Sequence, residues 1–290
     1  MEMNCIFTNL FIRLATALKI ALPCMSALFI SAAVQGADQL SSNPGVIRPT
    51  AVRGTQLIVT KADGTEARLS ELIGAIVVGV GPNGSSEQFK IAAIEKDSND
   101  PDGDVFLYTF LYQDHQTGEW KNACLPDAKG ISKGFPIAGS WDSHGNHIQS
   151  KSFTISCTGG AFAKCVRFGY KPWGTSKGGV KLLDYYQACV RMVRADYCGN
   201  GQGHTRDGTL IDIFDRLGIL REEQGLNLKF EAAWAPDGAV CVAKTRISSW
   251  TLDQILMECP ERLKGLIGDP EHCNVEQSIK INRALLFNKS

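Results

Sequence analysis

The cysteines constrain this chain more than any other feature of its sequence. Ten cysteines occur in 290 residues, and Cys5 and Cys24 lie in an apolar N-terminal stretch, which leaves eight further along. An even set of cysteines in an exported protein predicts a disulfide framework. The eight cysteines are Cys124, Cys157, Cys165, Cys189, Cys198, Cys241, Cys259 and Cys273.

Cysteine spacing favours disulfides over a metal site. No pair has the C-x2-C spacing that is typical of zinc sites, and no metal is expected. Eight cysteines allow 105 full pairings, so counting does not give the connectivity, and a framework with some free thiols stays possible. We predict two local bridges, Cys189–Cys198 and Cys259–Cys273. The others are expected to join the β part to the helical part through Cys124.

Residues 1–36 have the layout of a secretory signal peptide. The basic residues Arg13 and Lys19 precede an apolar run from Ile20 to Val34. That run of about 15 residues is shorter than the ~20 needed to span a bilayer. Val34 and Gly36 are small residues at the −3 and −1 positions that a signal peptidase recognises. An uncleaved membrane anchor is the alternative. The mature chain is therefore expected to be secreted or periplasmic, without a membrane span.

Charge balance argues against nucleic acid as a partner. The chain has 30 basic and 30 acidic residues, and residues 1–36 contain two basic and one acidic residue, which leaves 28 and 29. Phosphate binding relies on a basic surplus. With 44% hydrophobic and 21% charged residues, the chain is expected to fold rather than stay disordered. No cofactor is indicated, and the partner stays unknown.

The hydrophobic pattern predicts an α+β protein whose character changes near Phe153. Residues 37–53 are polar and are expected to form an extended lead-in. Residues 54–153 contain short β-branched and aromatic runs separated by turns, which predicts an antiparallel β part. Residues 154–290 combine helical spacing with strands and are expected to form a disulfide-bridged α+β part. Within this part, residues 276–287 are predicted to form a weak helix.

A glycine motif follows one predicted strand. Gly79–Gly84 matches G-x-G-x-x-G, which in dinucleotide-binding folds lets the backbone approach a pyrophosphate. However, Pro82–Gly84 is a turn sequence, and the segment Phe89–Ile94 is too short for a crossover helix. The motif is therefore interpreted as a hairpin turn.

An acidic run, Asp97–Asp104, follows this region. Oxygen ligands at alternate positions suit calcium, but the spacing differs from that of an EF-hand, and Pro101 occupies a potential ligand position. A solvated acidic turn is the favoured interpretation, with weak calcium binding as the alternative.

The segment from Arg194 to Asp215 is the best candidate for a functional site. Three glycines permit positive φ values and close approach of the backbone, and an imidazole follows them. A histidine that is oriented by an aspartate can act as a general base, although no known nucleophile motif accompanies it. A purely structural loop pinned by a disulfide is the favoured interpretation, with ligand binding and catalysis as the alternatives. The candidates are His204, Asp207 and Asp212 for catalysis, and Arg194, Asp196, Gly201 and Gly203 for ligand binding.

Several short motifs together resemble the bacterial ADYC domain family. The family takes its name from a tetrapeptide found here at Ala195–Cys198. The resemblance covers about residues 120–246, and only loosely the β-rich part before them. The motifs that carry it are Cys189–Gly199, His204-Thr205, Asp207–Thr209, Ile211-Asp212, Lys164–Val166, Gly169–Trp173, Phe230–Trp234 and Gly238–Cys241.

The resemblance implies an exported bacterial protein and a shared fold, and it assigns no catalytic residue. Two functions from different classes follow. The first is a binding or structural protein of the bacterial envelope. The second is a hydrolase-like enzyme centred on His204 with Asp207 or Asp212. A calcium-binding envelope protein is a third possibility, which depends on the acidic run.

Removal of the signal peptide predicts the N-terminus of the exported protein. We expect the exported form to begin at Ala37, because small residues stand at the positions that a signal peptidase requires. N-terminal sequencing or intact mass measurement of protein from the envelope fraction tests this. Recovery of Met1 in that fraction would contradict it.

Overall fold

The computed structural model describes residues 45–80 and 85–290. The expected signal peptide, residues 37–44 of the lead-in and residues 81–84 of the glycine motif lie outside the described residues. The described residues contain all eight cysteines of the expected framework.

The N-terminal part consists of short strands around a single 3₁₀ turn, Leu69–Leu72, within the described residues. Its strands are β1 (Val46–Ile47), β2 (Ala51–Arg53), β3 (Gln56–Thr60), β4 (Glu66–Arg68), β5 (Ile76–Val80), β6 (Ser86–Lys96), β7 (Phe106–Gln113), β8 (Trp120–Asn122), β9 (Gly134–Trp141) and β10 (His147–Cys157). The larger sheet has the order β1-β5-β6-β7-β9-β10, with β8 beside β7, and a smaller sheet has the order β2-β3-β4. Among these described strands, β1 and β5 pair in parallel, and all other pairs are antiparallel.

The glycine motif lies between two adjacent antiparallel strands. Val80 pairs with Ser86, and Ile76 pairs with Lys90 at the far end of the same pair. A dinucleotide-binding fold needs a helix after the glycines, whereas β6 is a strand of 11 residues. The flanking strands therefore pair as the hairpin interpretation requires, and a strand stands where the dinucleotide alternative requires a helix; the turn itself, at residues 81–84, lies outside the described residues.

The C-terminal part combines helices with a second sheet. Its elements are α1 (Ala161–Arg167), α2 (Leu183–Arg194), β11 (Asp212–Asp215), β12 (Phe230–Ala235), β13 (Gly238–Val242), α3 (Leu252–Glu258), α4 (Pro260–Leu263), α5 (Val275–Lys280) and β14 (Leu286–Lys289). The sheet is antiparallel, in the order β11-β14-β12-β13. The predicted α+β class, with an antiparallel β part before a disulfide-bridged part, is confirmed. In the described part of the chain no helix is long and apolar enough to cross a membrane.

Strand β14 departs from the sequence prediction. Residues 276–287 were predicted to form a weak helix, but the helix ends at Lys280 and a strand begins at Leu286. β14 lies between β11 and β12 and pairs with both. The second half of the helix prediction is therefore wrong, because pairing with two distant strands outweighs local helical spacing.

One hydrophobic core joins the two parts. Strand β10 runs through the boundary expected at residue 153. A single cluster contains Phe110 and Phe135 from the β part together with Tyr186 and Trp234 from the C-terminal part. Helix α2 contacts α1 on one side and the C-terminal sheet on the other. It is therefore buried around most of its circumference.

The eight cysteines form four disulfides, as the even count predicted. The bridges are Cys124–Cys157, Cys165–Cys189, Cys198–Cys259 and Cys241–Cys273, with Cα separations of 5.4–5.8 Å. Both local pairs predicted from the sequence are wrong. Cys189 lies inside α2 and faces α1, whereas Cys198 lies beyond the end of α2. Cys124 joins the end of β10 rather than the helical part.

A buried polar network fastens the end of α2 to the C-terminal sheet. The Glu231 carboxylate is fully buried and accepts hydrogen bonds from Arg246 at 2.9 and 3.0 Å, from Tyr197 Oη at 3.1 Å and from Asn288 at 2.8 Å. The Arg246 guanidinium also donates to two carbonyl oxygens in the last turn of α2. These carbonyls have no partner inside the helix, so the network satisfies them.

Two fully buried tyrosines provide a matched test of this network. Tyr197 donates to Glu231 and accepts the backbone N–H of Arg246, whereas Tyr186 Oη has no hydrogen-bond partner among the described residues. We expect Tyr197→Phe to lower the free energy of unfolding by about 1–3 kcal/mol, since it removes a buried hydrogen-bonded hydroxyl. Tyr186→Phe should leave the stability unchanged or raise it. Urea unfolding of both variants tests this, and equal losses would contradict it.

Candidate functional site

Asp196 organises the loop that follows α2. Helix α2 ends at Ala195, whose φ of 50° is left-handed. The buried Asp196 carboxylate lies 2.5 Å from the Arg191 guanidinium and accepts the backbone N–H groups of Asn200 at 3.1 Å and Gly201 at 3.0 Å. Asp196 and Gly201, which the sequence suggested as ligand contacts, are thus bonded to each other inside the loop.

Arg191 connects this loop to two distant turns. Its guanidinium donates to the carbonyl oxygen of His144 at 2.5 Å and to Asn146 Oδ1 at 2.6 Å, in the turn between β9 and β10. It also donates to the carbonyl oxygen of Pro236 at 3.1 Å, in the turn between β12 and β13. The side chain is 1% exposed. One cation therefore holds the β part, the C-terminal sheet and the candidate loop together.

The loop glycines are required by packing within the protein. Gly199 has φ 69°, and a Cβ there would clash with the carbonyl oxygen of Asp237. Gly201 has φ 87°, and a Cβ there would lie 2.7 Å from the carbonyl oxygen of Ser143. A Cβ on Gly203 would similarly lie 3.0 Å from the backbone of α2. The sequence suggested that these glycines let a ligand approach the backbone. In the structure, other backbone segments of the protein occupy that space.

His204 is 1% exposed and lies in an aromatic environment. Its ring packs edge-on against Trp250, with centroids 4.6 Å apart, and lies 5.6 Å from the ring of Tyr197. Nδ1 lies 3.0 Å from the carbonyl oxygen of Ala195, and Nε2 lies 2.9 Å from Glu258 Oε2. Both ring nitrogens are therefore engaged within the protein.

The partners of His204 define its chemistry. A carbonyl oxygen only accepts hydrogen bonds, so Nδ1 carries a proton towards Ala195. The Glu258 carboxylate occupies the other ring nitrogen, Nε2, so neither nitrogen is open to a substrate. Glu258 Oε1 accepts a hydrogen bond from Asn200 at 2.8 Å, and the glutamate side chain is 23% exposed. The His204–Glu258 pair thus reaches solvent only through the glutamate.

The predicted orienting role of Asp207 or Asp212 is wrong. The Asp212 carboxylate accepts the backbone N–H of Glu223 at 3.2 Å, and Asp207 is exposed on the outer side of the loop. Arg194, the predicted anion contact, donates to the carbonyl oxygen of Gly201. The structure therefore brings none of these side chains to the ring nitrogens of His204.

Sequence analysis missed Glu258, which lies 54 residues beyond His204. One signal was present, because Glu258 immediately precedes Cys259 and the candidate loop contains Cys198. The Cys198–Cys259 bridge brings the two segments together. Counting cysteines does not reveal that pairing, so the glutamate was not recognisable in advance.

The acidic run is compensated by cations of the chain itself. Oxygens of Asp100, Asp102 and Asp104 lie within 4.8 Å of one another. Lys171 Nζ lies 2.8 Å from both Asp100 and Asp102 and also contacts Asp104. The predicted solvated turn is therefore wrong in part, since Asp97 is 3% exposed and the Asp100 side chain 7%. The ammonium lies where the calcium hypothesis required an ion.

Opposing effects set the charge states in this cluster. Burial alone would lower the pKa of Lys171, but hydrogen bonds to the three carboxylates outweigh it and raise that pKa. Burial likewise opposes ionisation of Asp97 and Asp100, yet hydrogen bonds, including those from Arg167 and Lys171, hold both pKa values below the usual range. These carboxylates stabilise the fold above the unfolded-state value near ~4. That contribution is lost as the pH falls through the folded-state pKa values.

Comparison with known proteins gives one match. The sequence model of the family described as the ADYC domain matches residues 69–248, which is more than half of the chain. No curated protein and no solved structure matches the chain. The matched range contains α2, the candidate loop and Glu231, and it ends before Glu258.

His204 and Asp207 provide a matched pair of variants for the loop. We expect His204→Ala to lower the free energy of unfolding by about 2–4 kcal/mol, because it removes a buried ring and leaves a cavity beside Trp250. Asp207→Ala should change it by less than about 0.5 kcal/mol, since Asp207 lies on the surface. Thermal or urea unfolding of the oxidised protein measures both. A neutral His204→Ala would show that the imidazole does not hold the loop.

Proposed function

This chain belongs to the ADYC domain family, and on that premise we propose that it is a disulfide-stabilised binding or structural protein of the bacterial envelope. The proposal includes export through a signal peptide at residues 1–36 and a secreted or periplasmic mature chain. The proposed domain organisation is the one predicted from the sequence, with a lead-in at residues 37–53, a β-rich part at residues 54–153 and a cysteine-rich part at residues 154–290.

The observation that carries the proposal is that all four residues of the family tetrapeptide, Ala195–Cys198, make contacts within the protein. Ala195 ends α2 in a left-handed conformation, and its carbonyl oxygen contacts His204. Asp196 pairs with a buried arginine, Tyr197 joins the Glu231 network and Cys198 forms a disulfide. Residues that are fully engaged in this way build a scaffold. This supports a family defined by a rigid loop rather than by a reactive group.

The surroundings of His204 favour binding over hydrolysis. A general base needs a ring nitrogen that accepts the proton of a nucleophile. Both nitrogens of His204 face acceptors, Ala195 and Glu258, and the ring is buried. The hydrolase alternative with Asp207 or Asp212 thus lacks the contacts that it requires.

The disulfide content supports the location. Disulfides persist in oxidising compartments such as the periplasm and the exterior of the cell, and they are rare in the cytosol. All eight cysteines after residue 36 are paired. A framework of this kind forms in an exported chain, in agreement with the apolar segment at the N-terminus.

The rigid loop presents a small outer surface, residues 205–210, which we name the outer loop. Arg206 and Asp207 are exposed there, and Leu210 is 61% exposed. Loops that are held by a rigid scaffold commonly carry binding residues. The side chains of the outer loop are the proposed contacts with an envelope partner.

Site-specific photocrosslinking in the producing bacterium tests this proposal. A benzophenone amino acid is introduced at Leu210, and the matched control carries it at Ile73, an apolar residue of the β part that is 48% exposed. We expect a discrete crosslinked species from position 210 and none from position 73. The species should weaken when Arg206→Ala and Asp207→Ala are combined with the probe.

Two results would contradict the proposal. Equal crosslinking at both positions would mean that the outer loop is not a specific contact, and no crosslinking at position 210 would mean that it has no partner there. Recovery of the chain in the cytoplasmic fraction with free thiols would separately contradict its location in the envelope.

A further inference from the structure

The segment that covers His204 is attached to the rest of the protein by few contacts. We call residues 251–264, which contain α3 and α4, the strap. Within α3 only Ile255 is fully buried, while Leu252 and Leu256 are partly buried against the core, and within α4 only Leu263 is buried. Met257 on α3 is 74% exposed. Short helices with so little buried surface depend on other contacts for their position.

Polar contacts provide part of the attachment. Glu258 in α3 bonds to His204 and to Asn200. Arg262 in α4 donates to the carbonyl oxygens of Asp237 and Ala239, in the turn between β12 and β13 and at the start of β13. The Glu258 and Arg262 side chains are partly exposed, and such contacts stabilise weakly because water competes for them.

The Cys198–Cys259 disulfide is the covalent attachment of the strap. It links the residue after α3 to the family tetrapeptide, and it has the largest sequence separation of the described bridges, 61 residues. Cys259 is half-buried, and Cys198 is 8% exposed. By contrast, the cysteines of Cys165–Cys189 and Cys241–Cys273 are all at most 1% exposed.

The Cys124–Cys157 bridge also has one half-buried partner, Cys157. However, Cys157 lies in β10 and pairs with Gly134 of β9, so its position is fixed by the sheet without the disulfide. Cys259 lies between two short helices and has no strand pairing of this kind. Of the two accessible bridges, only Cys198–Cys259 controls the position of a weakly attached segment.

We propose that the strap is a redox-controlled cover, which opens when a dithiol reduces the Cys198–Cys259 bridge and thereby uncovers His204 and Trp250. The ends of the strap are anchored independently. Trp250 is bonded to Thr245 on one side, and Leu266 and Gly268 bond to Val242 of β13 on the other. Gly265, whose φ of 73° favours glycine, lies between the strap and this second anchor.

The chemistry is a thiol–disulfide exchange with a dithiol as the reductant. Its thiolate attacks the sulfur of Cys259, the less buried cysteine of the pair, the bond between the two protein sulfurs breaks, and Cys198 leaves as a thiolate. The second thiol of the reductant then displaces Cys259 from the mixed disulfide. The bridge gains two electrons and two protons, and the reductant is released as a disulfide.

Opening changes what the protein presents to a partner. In the oxidised protein the buried His204 imidazole packs against Trp250, and the Glu258 carboxylate of the strap contacts its Nε2. Once α3 moves away, Nε2 loses its acceptor, and an aromatic and imidazole surface appears beside the outer loop. This proposal does not depend on which partner the outer loop binds.

Native-state reduction tests the proposal. The oxidised full chain is treated with graded dithiothreitol, alkylated and mapped by mass spectrometry. We expect Cys198 and Cys259 to be alkylated at concentrations that leave the other three bridges intact. In the same samples diethyl pyrocarbonate should modify His204 at a rate approaching that of His272, which is 72% exposed, whereas His204 in the oxidised protein stays protected.

Two variants separate the bridge from the polar contacts. A Cys198→Ser, Cys259→Ser double variant should expose His204 without reductant while the other three bridges stay formed. Glu258→Gln retains the bridge and should keep His204 protected. If the double variant does not fold, the reduction mapping on the natural chain decides.

Three results would overturn the proposal. The first is reduction of Cys124–Cys157 before Cys198–Cys259. The second is loss of all four bridges together, only when the protein unfolds. The third is exposure of His204 in Glu258→Gln, which would assign control of the strap to the hydrogen bond rather than to the disulfide.

Discussion

The buried ion pair between Arg191 and Asp196 is the interaction on which the rest of the structure depends. Its two side chains are each 1% exposed, and they contact three separate turns. Removing one partner of such a pair leaves an uncompensated buried charge, which costs several kcal/mol, about 3–5 in measured cases. The pair therefore links the candidate loop, the β part and the C-terminal sheet at one buried point.

A second buried network works with the first at the end of α2. Arg246, which is held by Glu231, donates to the last carbonyl oxygens of the helix, and His204 contacts the carbonyl oxygen of Ala195 immediately beyond it. A cationic donor such as Arg246 suits this end of a helix, where the macrodipole is negative. The C-terminus of α2 is consequently the junction of the fold, and the disulfide at Cys198 attaches the strap to it. This junction holds the proposed outer-loop contact surface rigidly, and the proposed redox-controlled strap is attached to it through the disulfide.

Much of this organisation was predictable from the sequence. Short aromatic and β-branched runs predicted the β part, and helical spacing predicted helices after residue 153, because side-chain periodicity reflects burial of one face. The even cysteine count predicted four bridges. The motifs around Asp196 identified the family correctly. Each of these signals is local or compositional, so a single sequence contains it.

The tertiary structure alone decided which distant groups meet. His204 was recognised, but its partner is Glu258 rather than Asp207 or Asp212, because the Cys198–Cys259 bridge folds α3 back over the loop. Bridge pairing, the strand at β14 and the pairing of Lys171 with the acidic run likewise depend on contacts between residues far apart in the chain. Periodicity and spacing describe which residues are buried and which are polar. They do not specify which buried polar group lies opposite which, since that is fixed only when the elements pack together.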